Sequence, residues 1–439
     1  MISIIVFIII LSLGILVFAR KIKDIRGSIG LGRDIEISDN KKERWKTMAR
    51  VALGQSKMVN RPIAGLFHII IYLGFILINI EVFEIVIDGL TGGHRVFAPF
   101  LGSLYDVIIG FFEVLALLVL VACLVFLYRR NIQKLKRFHL SEMIGWPKLD
   151  GNLILVIEIV LMMALLTMNA NDQILQSRGV EAYGDYGSFP ISQFLVPFFS
   201  GFETPKLIII ERIAWWFHII GILIFLNYVP YSKHFHIMLA FPNTYYSNLN
   251  PKGSLNNLQS VKKEVQLMMD PNANPYATPS EGEQVEIPSF GVKDITDLTW
   301  KNLLDSYTCT ECGRCSSSCP ANITGKKLSP RKIVMDVRDR TDELYAFKKK
   351  NGKEHVDDKN LFDYITEEEL WACTSCNACV DECPVNINPL EVILEMRRYL
   401  IMEQSKSPES ITSMFNNVEN NGAPWAFSPS DRLKWIEES

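Results

Sequence analysis

Apolar residues fall into five long blocks in the first half of the chain, near Ile2 to Ala19, Ile63 to Ile85, Leu104 to Leu127, Leu153 to Met168 and Leu207 to Val229. A hydrocarbon core of about 30 Å takes roughly 20 helical residues to cross, so these blocks read as membrane spans, the fourth being the shortest. Lipid offers no water to unpaired backbone groups, and such spans must be helices. The first block lacks a basic leader and runs straight into Arg20, Lys21 and Lys23, so it reads as a retained anchor and not a signal peptide. Beyond Val229 the pattern changes. Residues Ala240 to Asp294, rich in Asn, Pro and Ser, read as a tether along the membrane surface. Apolar residues at helical spacing then predict helices over Pro330 to Arg338 and Asn388 to Leu400, and a short one ending at Trp371, capped by Thr366 with acids in its first turn. The charges from Arg338 to Lys359 read as a solvated face.

Charge sharpens this division. The net charge of -3 over 439 residues conceals about +5 up to His236 and about -8 after it. The loop from Arg20 to Arg61 carries 12 Lys and Arg and the one from Arg129 to Lys148 carries six, whereas the loop around His94 has Arg95 alone. The positive-inside rule therefore sets the N-terminus outside and everything after Val229 in the cytoplasm of a multi-pass inner-membrane protein. Abundant apolar residues and ordinary Gly and Pro content exclude a disordered or low-complexity chain. No nucleic-acid partner is expected.

The chemistry lies in the cysteines. Eight of nine form two runs, Cys309-x2-Cys312-x2-Cys315-x3-Cys319-Pro320 and Cys373-x2-Cys376-x2-Cys379-x3-Cys383-Pro384. A thiolate every third residue wraps one cubane, and the fourth cysteine reaches across to the other. Cys309, Cys312, Cys315 and Cys383 are thus predicted to hold one [4Fe–4S] cluster, and Cys373, Cys376, Cys379 and Cys319 the second. Zinc sites need two ligand pairs with a longer gap, which neither run has. Cys123, alone in the third span, reads as a small packing residue.

Histidines at membrane depth are the second signal, because polar side chains there usually face a ligand or cavity. His68 lies in the second span and His218 in the fifth; His234 and His236 follow at the fifth span's cytoplasmic end. Imidazoles on two facing helices can supply both axial ligands of a haem b. The plainer reading is hydrogen bonding between helices. No Cys-x-x-Cys-His occurs, which excludes c-type haem. His94, His139 and His355 read as solvated loop residues.

The spans, the outside N-terminus and the histidine spacing together resemble the di-haem cytochrome b subunit of respiratory nitrate reductases over about the first 240 residues. That resemblance pairs His68 with His218, and implies that the second span starts early, through Val51 to Met58, to bring His68 to the depth of His218. Met58 stands where the family has its other second-span histidine. A second haem would be held by Met58 and His236, take another ligand, or be absent. A quinone site near the haem is also implied, with Gly65, Glu81, Glu84 and Asp88 as candidates for contact and proton uptake against the plain reading of solvated acids.

The cluster runs, Phe290-Gly-Val292, Leu298-Thr-Trp-Lys301 and the fused membrane domain are similar to the heterodisulfide-reductase-like membrane iron–sulfur oxidoreductases. Some of these pass electrons between flavoprotein carriers and menaquinone. Longer members carry a catalytic domain marked by Cys-Cys-Gly, which is not found here; a separate cytoplasmic subunit is expected to supply it. The expected architecture is mainly α: a five-helix transmembrane cytochrome b bundle (1–236), the tether (237–294), an α-helical dicluster ferredoxin-like domain in the cytoplasm (295–405) and a tail for partner contact (406–439). The expected function is a respiratory electron relay between a cytoplasmic partner, two clusters, haem b and (mena)quinone, running toward quinone. The alternatives are a subunit of a quinol-linked thiol–disulfide reductase and a haem-free redox-sensing scaffold.

Overall fold

A computed structural model describes residues 1–271, 289–352 and 354–437. The central part of the expected tether lies outside them. Among the described residues the chain is mainly helical and has no strand, only an isolated bridge between Arg33 and Thr299.

Five helices are long and apolar enough to cross a membrane: α1 (Ile2–Ile29), α2 (Pro62–Thr91), α3 (Ser103–Asn131), α4 (Trp146–Ser177) and α5 (Thr204–Tyr228). Neighbours pack in the order α1, α2, α3, α4, α5 and back to α1, closing a ring around a core that includes Phe7, Phe112, Leu165 and Trp215. α4, expected to be shortest, is the longest at 32 residues. Its extra turns carry Asn169, Asn171 and Asp172, whose polarity ends the apolar block but whose side chains are buried inside the bundle.

α2 does not begin early. Lys41–Met48 and a π-helical turn, Ala49–Leu53, stop at Gly54, and α2 starts afresh at Pro62, whose missing N–H costs nothing in a first turn. Gly65 lets the loop lie against the helix: a Cβ there would meet the Met58 carbonyl oxygen at 2.6 Å.

After α6 (His236–Tyr245), the cysteine-bearing part is built on α7 (Trp300–Thr308), α8 (Pro330–Asn351) and α9 (Pro389–Met402) around Ile295, Leu303, Ile333, Ile393 and Met396. Thr299 and Thr366 each close a capping box, satisfying helix-start amides as the sequence led one to expect for Thr366. α8 extends well past Arg338. The expected solvated face is partly interior: Arg340 is fully buried between Asp294 and Asp357, and Arg338 pairs with Glu311 at 3.0 Å. A charged run can be internal when each cation meets a carboxylate.

The cysteine-bearing part sits on one end of the bundle. Tyr307 packs with Ile25, Phe225 and Val229, while Cys309 and Cys383 pack with Ala52 and Ala240. Both basic loops lie at this end, since α2 and α4 start there and α3 and α5 finish there. α10 (Glu409–Asn421) follows with no buried residue.

Candidate redox site

The two cysteine runs fold alike. Two and four residues after the first cysteine, Glu311 and Gly313 in one run and Ser375 and Asn377 in the other take left-handed backbone conformations, with φ of 51°, 68°, 55° and 59°. Alternation of hand turns successive amides toward one concave side, a cradle for an anionic group. Ser375 N–H and Ile387 N–H already donate to the Cys373 and Cys383 sulfurs at 3.4 and 3.3 Å.

Cys309, Cys312, Cys315 and Cys383 line one space, with Val334 and Val385 in its apolar wall and Cys379 of the second run also at its edge. Cys319, from the first run, lies instead with Cys373 and Cys379 of the second. Cys383 thus lies beside the first run and Cys319 beside the second. All nine thiols are free. Burial pushes Cys309 and Cys379 up to about 12 and Cys383 to about 11, with neighbouring sulfurs adding to the effect. Thiolates so placed need cationic iron to offset their charge. Among the described residues no three His, Cys, Asp or Glu side chains close on a point as ligands of one metal ion would. Four sulfurs facing a shared space fit the larger body of a cubane. Each set has two buried cysteines, Cys309 and Cys383 in one and Cys319 and Cys379 in the other, and Cys376 is the one exposed thiol.

The first set abuts the bundle. Lys57 donates to the Cys383 carbonyl at 3.0 Å, Arg61 pairs with Glu382 at 3.1 Å, and Arg314 donates to the Lys57 carbonyl at 2.8 Å and to Met58 Sδ at 3.5 Å. The charge of Arg314 bears on Cys312, Cys383 and the His68 ring alike. Beside His68 stands His236, ring centres 6.4 Å apart, and His234 lies 5.6 Å beyond it. Two imidazoles binding one iron from opposite sides through bonds of about 2 Å hold their centres about 6 Å apart. His236 Nδ1 meets the Lys233 carbonyl at 3.0 Å, and His68 Nδ1 is buried without a partner. These two residues would be the ones to hold a haem here.

His218 is the partner that the resemblance implies for His68. His218 is 2% exposed, with Nδ1 on the Leu161 carbonyl at 3.0 Å, and takes no part in the histidine cluster. Because α2 starts at Pro62, His68 is about 9 Å along its helix, while His218 is about 15 Å from the end of α5. Met58 is engaged by Arg314, not by a histidine of the bundle.

Glu81, Glu84 and Asp88 lie at the other end, and all are buried. Asp88 accepts from the Arg95 and Val96 amides, and Glu84 from the Phe97 amide at 2.8 Å and Tyr105 Oη at 2.7 Å. Arg95 reaches Asp172 at 2.7 Å, Tyr105 at 3.1 Å and Asn169 at 3.0 Å. Glu81 keeps one carboxylate oxygen unpartnered. His94, expected in solvent, meets Asp172 at 3.3 Å and packs edge-to-face with Tyr183. Exposed His139 and His355 are solvated as read, and Cys123 is fully buried among apolar neighbours.

Comparison with known proteins agrees with the iron–sulfur part of this chemistry. Residues 308–387 match the model of a 4Fe–4S dicluster domain. The chain is 28% identical to the probable iron-sulfur-binding oxidoreductase FadF of Bacillus subtilis, over 99% of its length and 60% of that protein. It is 27% identical to the EtfAB:quinone oxidoreductase of Syntrophomonas wolfei, over 88% of its length and 53% of that one. A shorter match, 33% identical over 107 residues, covers 24% of the chain and 53% of one polypeptide of the ferredoxin/F420H2-dependent CoB-CoM heterodisulfide reductase of Methanosarcina acetivorans. The chain thus spans little more than half the length of the first two relatives. No solved structure matches it. Its relatives are iron–sulfur oxidoreductases, and its dicluster domain and apolar helices support membrane-linked electron transfer.

Sequence reasoning missed the joint between the two halves. Glu311, inside the first cysteine loop, pairs with Lys233 and Arg338, and Lys233 also approaches Asp150 of α4 at 3.8 Å. Arg331 reaches Glu142 at 2.8 Å. Glu311 held one clue, a buried-loop acid where the second run has Ser375. Its partners lie far away in sequence and left no local pattern.

Proposed function

We propose that this chain is a membrane electron-relay subunit, passing electrons between a partner protein, two [4Fe–4S] clusters, one haem b and a membrane quinone. The observation that carries the reading is an order in space. Cys376 is the one exposed thiol, no cysteine of the set containing Cys383 is exposed, and Arg314 joins that set to the His68–His236 pair at the bundle. Electrons would enter at the Cys373–Cys376–Cys379–Cys319 cluster, pass to the Cys309–Cys312–Cys315–Cys383 cluster and reach the histidine pair. The clusters and haem supply one-electron chemistry when bound. The protein's own residues hold them at fixed spacing, exclude water from the inner cluster and present cations that favour the reduced forms.

Direction toward quinone, with a flavoprotein as donor, is favoured by the similarity to an EtfAB:quinone oxidoreductase. A separate or appended cytoplasmic Cys-Cys-Gly protein remains part of the reading, with the dicluster domain on the cytoplasmic side. Similarity to a polypeptide of a heterodisulfide reductase favours a second reading, in which quinol-derived electrons leave through the clusters to a disulfide. Of the three acids proposed for the quinone, Glu81 has the free oxygen that proton exchange requires.

An anaerobic absorption and EPR titration of the purified chain tests the relay. Two cluster signals and a dithionite-reduced haem α-band are expected, and His68→Ala should remove that band while leaving both cluster signals. Cluster signals without any α-band in the unmodified chain would exclude the cytochrome part and leave the redox-sensing scaffold.

A further inference from the structure

Lys233 is held at three points. Its ammonium pairs with Glu311 and donates to the Pro147 carbonyl at 2.6 Å, its amide donates to Asp150 Oδ2 at 3.1 Å, and its carbonyl meets His236 Nδ1 at 3.0 Å. Asp150, on α4, is itself fixed through its other oxygen by Tyr228 Oη at the end of α5. The side chains of Lys233, Asp150 and Glu311 are 9%, 2% and 3% exposed, so the ammonium has almost no water and is stable only opposite these acids. Arg338 takes the other Glu311 oxygen at 3.0 Å. Lys233 belongs to the 3-10 turn Lys233–Phe235, which runs directly into His236 at the start of α6.

Joining the two halves of the molecule does not require this arrangement. Arg331 with Glu142, and Lys57 with the Cys383 carbonyl, already bridge them. Glu311 also carries a cost, because its left-handed backbone, φ 51°, is a conformation that residues other than glycine adopt reluctantly. The second cysteine run makes the same turn with Ser375. What the acid adds is a grip on Lys233, three residues before His236. An imidazole that donates one ring N–H to a fixed carbonyl is held in orientation and becomes a better ligand through its other nitrogen. With Nδ1 on the Lys233 carbonyl, Nε2 is the nitrogen of His236 that would meet iron.

We propose that Lys233 is a positioning residue, gripped by Glu311 and Asp150 so that its carbonyl sets the orientation of the His236 ring on a haem iron. Glu311 stands one residue before Cys312, so the same grip ties the loop of the bundle-side cluster to the haem ligand. This rests on the reading of His236 as a haem ligand and adds what fixes that ligand.

The test uses the full chain in detergent and two readouts of the haem. One is the largest g value of the oxidised low-spin haem in EPR, which follows the angle between the two axial imidazole planes. The other is the affinity for protohaem, titrated by the Soret band on chain prepared without haem. Lys233→Met should shift the g value and weaken haem binding about tenfold, the scale of losing the support behind a metal-bound histidine, with both cluster EPR signals retained as proof of folding. Should that variant not fold, Asp150→Asn loosens the grip on the Lys233 amide from the α4 side, and the same two changes are expected. Arg338→Gln removes the other cation on Glu311 and should leave both haem readouts at the parent values. Parent g value and affinity in a folded Lys233→Met or Asp150→Asn would overturn the positioning role and leave the haem reading standing. Equal changes in Arg338→Gln would make the effect one of charge near the cluster and also overturn it. A haem spectrum that survives His236→Ala unchanged, or no haem band in the unmodified chain, would remove His236 as a ligand and the proposal with it.

Discussion

The two ends of the membrane bundle handle buried charge differently. At the far end, Arg95, Glu84, Asp88, Asp172 and Tyr105 are partnered with one another or with loop amides. At the end facing the cysteines, His68 Nδ1 and Arg137 Nε have no partner, and cations outnumber the acids beside them. Burying a polar group without a hydrogen bond is costly. Unpartnered buried atoms occur at both ends, at the far end on Glu81, Asn171 and Gln173, and Glu81 is the acid among them to suspect of work on a substrate.

Substitutions should separate the ends cleanly. Arg95→Gln would strand Asp172 as a buried anion, and breaking such a pair costs about 3–5 kcal/mol. A large drop in the melting temperature of the detergent-solubilised chain is expected, and iron content per folded molecule should hold. A melting temperature near that of the parent would mean that the far end is wetter and looser than its packing implies.

Cys383→Ser acts at the other end. The crossed arrangement predicts loss of the bundle-side cluster and survival of the Cys376 cluster, read as four irons fewer and one EPR signal gone. Loss of the Cys376 signal instead would refute the crossing. Because the lost cluster is the one that Arg314 joins to His68, chemical reduction of the exposed cluster should no longer reach the haem at its normal rate. Next in size, Glu84→Gln trades a charged acceptor of Tyr105 and the Phe97 amide for a neutral one, at a cost of about 1–3 kcal/mol. Its spectra should match the parent's; an altered haem band would bring the far end into the redox site.

What could be read from sequence followed the range of the forces involved. Apolar blocks and cysteine spacing are local, so all five candidate spans and the two similar cysteine loops were legible. Helix starts set by local stereochemistry were also legible in part: Thr366 capped as expected, but Pro62 was not taken as the start of α2, and with it went the expected depth of His68. Contacts between distant segments were not legible. The charge run of α8 looked solvated because its partners, Asp294 and Glu311, lie outside it in sequence. α4 looked short because Asn169 and Asp172 satisfy one another's neighbours only in three dimensions. His94 looked like a loop histidine for the same reason.

The smallest effect on stability should come from Glu81→Gln, and it asks most of the comparison. Glu81 is 4% exposed and one oxygen has no donor, so the amide removes a buried charge without breaking a pair. The change should be within about 0.5 kcal/mol or slightly stabilising, in contrast to Glu84→Gln one helical turn away. Its effect belongs in turnover. Reducing a quinone takes up protons as well as electrons, and an amide cannot carry one. Quinone reduction by the assembled protein should fall about tenfold or more, the scale of losing a positioned proton donor, while dithionite reduces clusters and haem at the parent rate. If quinone turnover is unchanged, Glu81 only fills space, and the far end is structural throughout. If turnover falls with cofactor reduction intact, the free oxygen of Glu81 marks the one place where that end takes part in the chemistry.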